Sequence, residues 1–163
     1  MGEELSSREQ NTKGPAQRDF KEAVLSAFGE REKDLRSYSP LSFAFLGDAV
    51  YSLIARTVVF SEGNRQAAKM HQKTSSLYVS AKAQAKIGDA MLPYLSEEEA
   101  DIYRRGLHAS PEHHAKNATM EEYMKATALE TLCGYLYMKE ALPRFLELMQ
   151  LGLRDLEKGS ISS

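Results

Sequence analysis

Ser39-Pro-Leu-Ser-Phe43-Ala-Phe-Leu-Gly-Asp48-Ala-Val-Tyr51-Ser-Leu-Ile-Ala-Arg-Thr-Val-Val59 is the stretch on which the reading of this chain turns. Ser39 and Pro40 supply a cap and a first-turn proline, and the spacing that follows predicts a helix from about Pro40 to Val59. Phe43, Leu46, Val50, Leu53, Ile54 and Val58 recur every three or four residues and make the expected core stripe. Asp48 then projects roughly opposite that stripe, with Ala44, Phe45, Tyr51 and Ser52 three and four residues away. An acid among apolar neighbours is either an ordinary exposed carboxylate or part of a face covered by a second subunit, with Ala44, Phe45 and Tyr51 as the interface.

Helical spacing continues outward in both directions. Phe20, Val24, Leu25 and Phe28 predict an earlier helix, and residues 1–19 are polar with no apolar period, as in a flexible tail. Gly63 and Asn64 break the chain, and Arg65 to Ile87 reads as a short helix and a longer alanine-rich one. Ser96 and Glu99 form a capping-box pattern opening a helix to about Leu107, and His108 to Ala118 reads as an exposed loop. Helices over Met120–Lys139 and Leu142–Glu157 follow, with Gly159 after the last. The fold class expected is all-α: a tail over 1–19, one domain over 20–158, and a short flexible end over 159–163.

Composition limits what such a domain can be. With 163 residues, 42% hydrophobic and 27% charged, the chain can bury one core. No run of about 18 uninterrupted apolar residues and no signal-like amino terminus is present, so the cytoplasm is the expected location. A single cysteine, Cys133, excludes an internal disulfide and reads as a buried thiol. The net charge of -2 does not itself point to nucleic acid, but its distribution is uneven. From Gly63 through Gly88 the chain carries Arg65, Lys69, Lys73, Lys82 and Lys86 and no acid.

A second acid, Glu130, lies in a helix whose core stripe is Leu129, Leu132 and Leu136. Its neighbours three and four residues away are Ala126, Thr127, Cys133 and Gly134, all small, so another helix can approach and bring a second carboxylate toward a shared cation. Two carboxylates suit magnesium, a hard cation with oxygen ligands. The alternative is a partly buried acid paired with a lysine. His108, His113 and His114 sit on the expected loop without a cysteine or the usual zinc-ligand spacing, and read as loop or RNA-contact residues.

Taken together, these segments resemble one family. Phe45-Leu-Gly-Asp48-Ala-Val-Tyr51 resembles the signature helix of ribonuclease III domains, and Lys125-Ala-Thr-Ala-Leu-Glu130-Thr-Leu-Cys-Gly-Tyr-Leu-Tyr137 their second acidic helix. Met70-His-Gln-Lys73, Tyr78-Val-Ser-Ala-Lys-Ala-Gln-Ala-Lys86 and Arg104-Arg-Gly106 resemble segments of the Mini-III branch, so the likeness spans about Ser39 to Leu151. The resemblance implies the helical ribonuclease III endonuclease fold, a homodimer with one RNA-binding valley, and magnesium-dependent hydrolysis of double-stranded RNA without a separate RNA-binding domain. It places Asp48 and Glu130 on catalytic, metal-binding positions. It further implies maturation of large-subunit ribosomal RNA, with a ribosomal protein as a candidate partner. The chain departs from longer ribonuclease III enzymes at Leu41, Ala44 and Thr127, where those enzymes carry acids. Duplex RNA is recognised by shape, phosphates and 2' hydroxyls, for which Lys82, Gln84, Lys86, Arg104, Arg105, Lys116 and Asn117 are the expected contacts. The rival from another class is a non-catalytic RNA-binding or ribosome-assembly factor with the same fold.

Overall fold

Most of the helices start where a side chain accepts a hydrogen bond from the first turn. A computed structural model describes residues 19–109 and 118–162. Its described residues are helical with no strand, in the order α1 (Phe20–Ala27), α2 (Pro40–Ser61), α3 (Ala67–Thr74), α4 (Ala81–Met91), α5 (Glu97–Leu107), α6 (Met120–Met138) and α7 (Leu142–Ser162). Ser39 caps α2 through the Ser42 amide, with Pro40 in the first turn as expected. Ser80 caps α4 in the same way. The Ser96–Glu99 capping box opens α5, and Thr119 with Glu122 forms a second such box at the start of α6.

The chain divides into two units, one ending at Ser37 and one beginning at Tyr38, so the main body starts later than residue 20. In the first unit Asp19 caps α1 by accepting from the Lys21 amide at 2.9 Å, and Lys21 pairs with Glu32 at 3.0 Å. Phe20, Val24 and Phe28 have the helical spacing expected but stay exposed.

In the second unit α6 is the central element. It packs against α2, α4, α5 and α7, and Ala126 to Leu129, Thr131 to Gly134 and Leu136 are all buried. A helix buried on so many sides cannot show a single apolar stripe. Tyr51, Ile87, Met91, Leu129, Leu132, Phe145 and Leu148 fill the core around it. Between α3 and α4 the residues Ser75–Val79 form a π-helical turn, which the expected two-helix pattern does not contain. The last helix continues through Gly159 to Ser162, beyond the end expected near Glu157.

The buried face of α2 is rotated from the expected one. Phe43, Ala44, Gly47, Tyr51, Ala55 and Val59 face inward, whereas Leu53 and Val58 are exposed. Close helix approach selects small residues, so the face richest in Gly and Ala is buried in place of the one richest in large aliphatics. This corrects two expected interface positions: Ala44 and Tyr51 are 7% and 0% exposed within the subunit itself, and only Phe45, at 83%, is open to a partner. By length and hydropathy α2 is also the one helix among the described residues that could cross a membrane. It carries Asp48 and Arg56, and its inward face is part of the core.

Candidate active site

Helices α2 and α6 touch backbone to backbone. A Cβ added to Gly47 would lie 1.8 Å from the Glu130 carbonyl oxygen, and one added to Gly134 would lie 2.0 Å from the Phe43 carbonyl oxygen. Only glycine at both positions permits this crossing. Asp48 follows Gly47 directly, and the contact on α6 is the peptide of Glu130 itself, so the crossing that joins the helices also brings the two carboxylates together. The small residues around Glu130 make this approach predictable; the glycine in α2 is what completes it.

The two acids occupy different surroundings. Asp48 is exposed, while Glu130 is partly buried over Tyr51, Cys133 and Gln84. Burial, then the nearby negative charge of Asp48, pushes the Glu130 carboxyl up to about 7, and the Gln84 amide partly opposes them. Tyr51 donates its hydroxyl to the Tyr78 carbonyl at 2.8 Å, and burial with the neighbouring Cys133 and Glu130 holds that hydroxyl protonated. The lysine of the same helix does not neutralise Glu130: Lys125 pairs with Asp89 at 2.9 Å and Glu121 at 3.0 Å. A desolvated carboxylate beside a second carboxylate is a donor set suited to a hard divalent cation. Thr127, which stands where longer enzymes have an acid, gives its hydroxyl to the Tyr123 carbonyl at 3.0 Å. Among the described residues no cluster of three or more His, Cys, Asp or Glu could hold an ion.

The expected RNA contacts divide. Lys82 and Lys86 are exposed one turn apart on α4. Both act on Glu122, whose carboxyl is held low chiefly by the Thr119 amide, so the lysines lie near the start of α6. Arg104 and Arg105 are exposed at the end of α5, Arg104 in an ion pair with Asp101. Lys116 and Asn117, with His113 and His114, lie outside the described residues. Gln84 does not belong with these groups: it is 1% exposed on the inward side of α4 and faces Glu130. Two residues from each lysine is too near half a helical turn for all three to share one face.

Two helices cross at two glycines, one followed directly by Asp48 and the other one turn after Glu130, and residues 41–141 of this chain match the Ribonuclease III domain. The chain is 36% identical over 130 residues to the Mini-ribonuclease 3 of Clostridium tetani, covering 79% of this chain and 85% of that protein. It is 40% identical over 121 residues to the Mini-ribonuclease 3 of Brevibacillus brevis, covering 74% and 90%. The crystal structure of a Fusobacterium nucleatum protein superimposes with a TM-score of 0.67 at 28% identity, covering 76% of this chain and 99% of that one. The chain therefore belongs to the ribonuclease III family, in its Mini-ribonuclease 3 branch.

Proposed function

We propose that this protein is a magnesium-dependent endoribonuclease that cuts double-stranded RNA as a homodimer in the cytoplasm, with a precursor of large-subunit ribosomal RNA as its substrate. The observation that carries the reading is the approach of Asp48 and Glu130 at the Gly47–Gly134 crossing within a ribonuclease III fold. Both acids would hold the cation, Asp48 from the solvent side and Glu130 from the protein side. A magnesium ion bound there supplies positive charge against a phosphate oxygen and makes an attacking water more acidic.

The chain's own residues do the rest. Lys82 and Lys86, with Arg104 and Arg105, offer exposed cations that bind phosphates without reading bases, which suits the shape-based recognition of duplex RNA. Tyr51 and the core beneath Glu130 close the protein side of the site and fix the helix that bears it. A second subunit accounts for Phe45, Leu53 and Phe60, which are 83%, 63% and 75% exposed at eight- and seven-residue intervals along α2. A ribosomal protein that shapes the RNA would compensate for the modest basic surface.

Cleavage of an end-labelled RNA duplex in magnesium tests the reading, with Asp48→Asn and Glu130→Gln under identical salt. We expect 5'-phosphate products from the native chain and a loss of at least about a hundredfold in each variant, equivalent to several kcal/mol of transition-state stabilisation. A native chain that binds duplex RNA and leaves it intact would instead be a non-catalytic RNA-binding factor.

A further inference from the structure

We propose that Gln84 is a positioning residue of the carboxylate site, its buried amide serving Glu130 and neither the fold nor the RNA. The inference rests on the reading of Asp48 and Glu130 as a cation-binding pair.

Gln84 lies on the face of α4 that packs against α6, between the buried residues Ala83, Ala85, Ile87 and Gly88. At 1% exposure its amide has left water, yet its Nε2 has no hydrogen-bond partner among the described residues. A primary amide carries two donors, and leaving them unpaired in the interior destabilises a fold. An apolar side chain of the same length would fill that place without the penalty. Among the described residues, then, the amide brings a cost and no compensating hydrogen bond.

Its position supplies the missing role. Nε2 lies beside the Glu130 carboxylate but beyond an ordinary hydrogen bond. Of the other groups beneath Glu130, Tyr51 is already committed, since it donates to the Tyr78 carbonyl, and the Cys133 thiol, held protonated by burial, is only a weak donor. The Tyr103 hydroxyl, also buried without a partner among the described residues, lies instead against Gly88 and near Asp89. Gln84 is thus the uncommitted amide donor at the site. Ligating carboxylates are ordinarily oriented by a hydrogen bond from behind, and removing that partner weakens metal binding by about ten- to a hundredfold. Gln84 holds Glu130 in this way when the pair takes up a cation, which also explains why a glutamine between two exposed lysines never reaches the surface.

The test is Mn2+ binding to the RNA-free protein, read from the electron paramagnetic resonance signal of free Mn2+, alongside thermal melting in chelator. The proteins compared are the native chain, Gln84→Met, Gln84→Leu and Glu130→Gln. We expect both Gln84 variants to bind Mn2+ about tenfold more weakly or worse than the native chain, with melting temperatures equal to or above the native value. Native-like Mn2+ binding in a folded Gln84→Met protein overturns the inference and leaves the carboxylate pair standing. Melting temperatures lowered in both Gln84 variants make Gln84 a packing residue and likewise overturn it. A native chain that binds Mn2+ no better than Glu130→Gln removes the pair, and the inference with it.

Discussion

The carboxylate pair and the basic face are built in opposite ways. Asp48 and Glu130 are placed by main chain: two glycines let α2 and α6 meet where any side chain would collide, and each acid is next to or part of that contact. Lys82, Lys86 and Arg105 are placed by exposed, flexible side chains on helix surfaces. The first arrangement has no tolerance for displacement, whereas the second is a sum of small contributions. Chemistry needs fixed atoms, and grip on a phosphate backbone needs only charge within reach.

The difference between the two should be greatest at Gly47. A Cβ there would overlap the Glu130 carbonyl, so Gly47→Ala should lower the unfolding free energy by on the order of 3 kcal/mol or more and abolish cleavage together with it; urea denaturation followed by circular dichroism measures the first. Ordinary packing away from the crossing supplies a reference. Arg144 grips Glu99 through Nε at 2.9 Å and a second nitrogen at 3.0 Å, and also donates to the Tyr94 carbonyl at 3.0 Å. Glu99 is 7% exposed, so Arg144→Met leaves its carboxylate with the Ser96 amide but without a cation and should cost about 2 to 3 kcal/mol. That variant should keep the Glu130 environment intact.

A pH series separates the pair from the basic face by another route. Burial and Asp48 raise Glu130 from 4.5 to about 7, so between those values the folded chain keeps a proton that the unfolded chain releases. The folded state is therefore relatively stabilised below about pH 4.5, and that contribution is lost as pH rises through about 7, by on the order of 3 kcal/mol. In chelator, native stability should fall between about pH 5 and about pH 7.5 relative to Glu130→Gln, and parallel curves for the two proteins would contradict the assignment. The smallest effect belongs to the basic face. Replacing both Lys82 and Lys86 by Ala should leave stability nearly unchanged, weaken duplex binding several-fold, and flatten the salt dependence by about one unit of log–log slope for each phosphate that a lysine no longer neutralises. Filter binding at graded salt would show it.

Much of the fold is legible in the sequence because its signals are local. Ser39–Pro40, the Ser96–Glu99 box and the spacing of Leu129, Leu132 and Leu136 act within one or two turns, and the structure places helices and core there. The acids are legible through the small residues flanking Glu130, since such residues announce close packing before the partner is known. What stays hidden depends on which face wins a three-dimensional competition. The large aliphatics of α2 suggest one stripe, and the contact at Gly47 buries another, carrying Ala44 and Tyr51 inside. Nearness in sequence groups Gln84 with its lysine neighbours, yet on a helix alternate residues part company. The Arg144–Glu99 pair joins residues 45 apart, and no local pattern announces it.

If the Gly47–Gly134 crossing holds Asp48 and Glu130 as one electrostatic unit, the titration of one must depend on the charge of the other. Carboxyl 13C chemical shifts of Glu130, followed by NMR across the acid-to-neutral range in chelator, read this in the native chain and in Asp48→Asn. A native titration near 7 is expected, with a lower midpoint once Asp48 is neutral, because burial remains and the like charge is gone. A Glu130 that titrates in the ordinary carboxylate range, or one whose midpoint ignores Asp48, would contradict it.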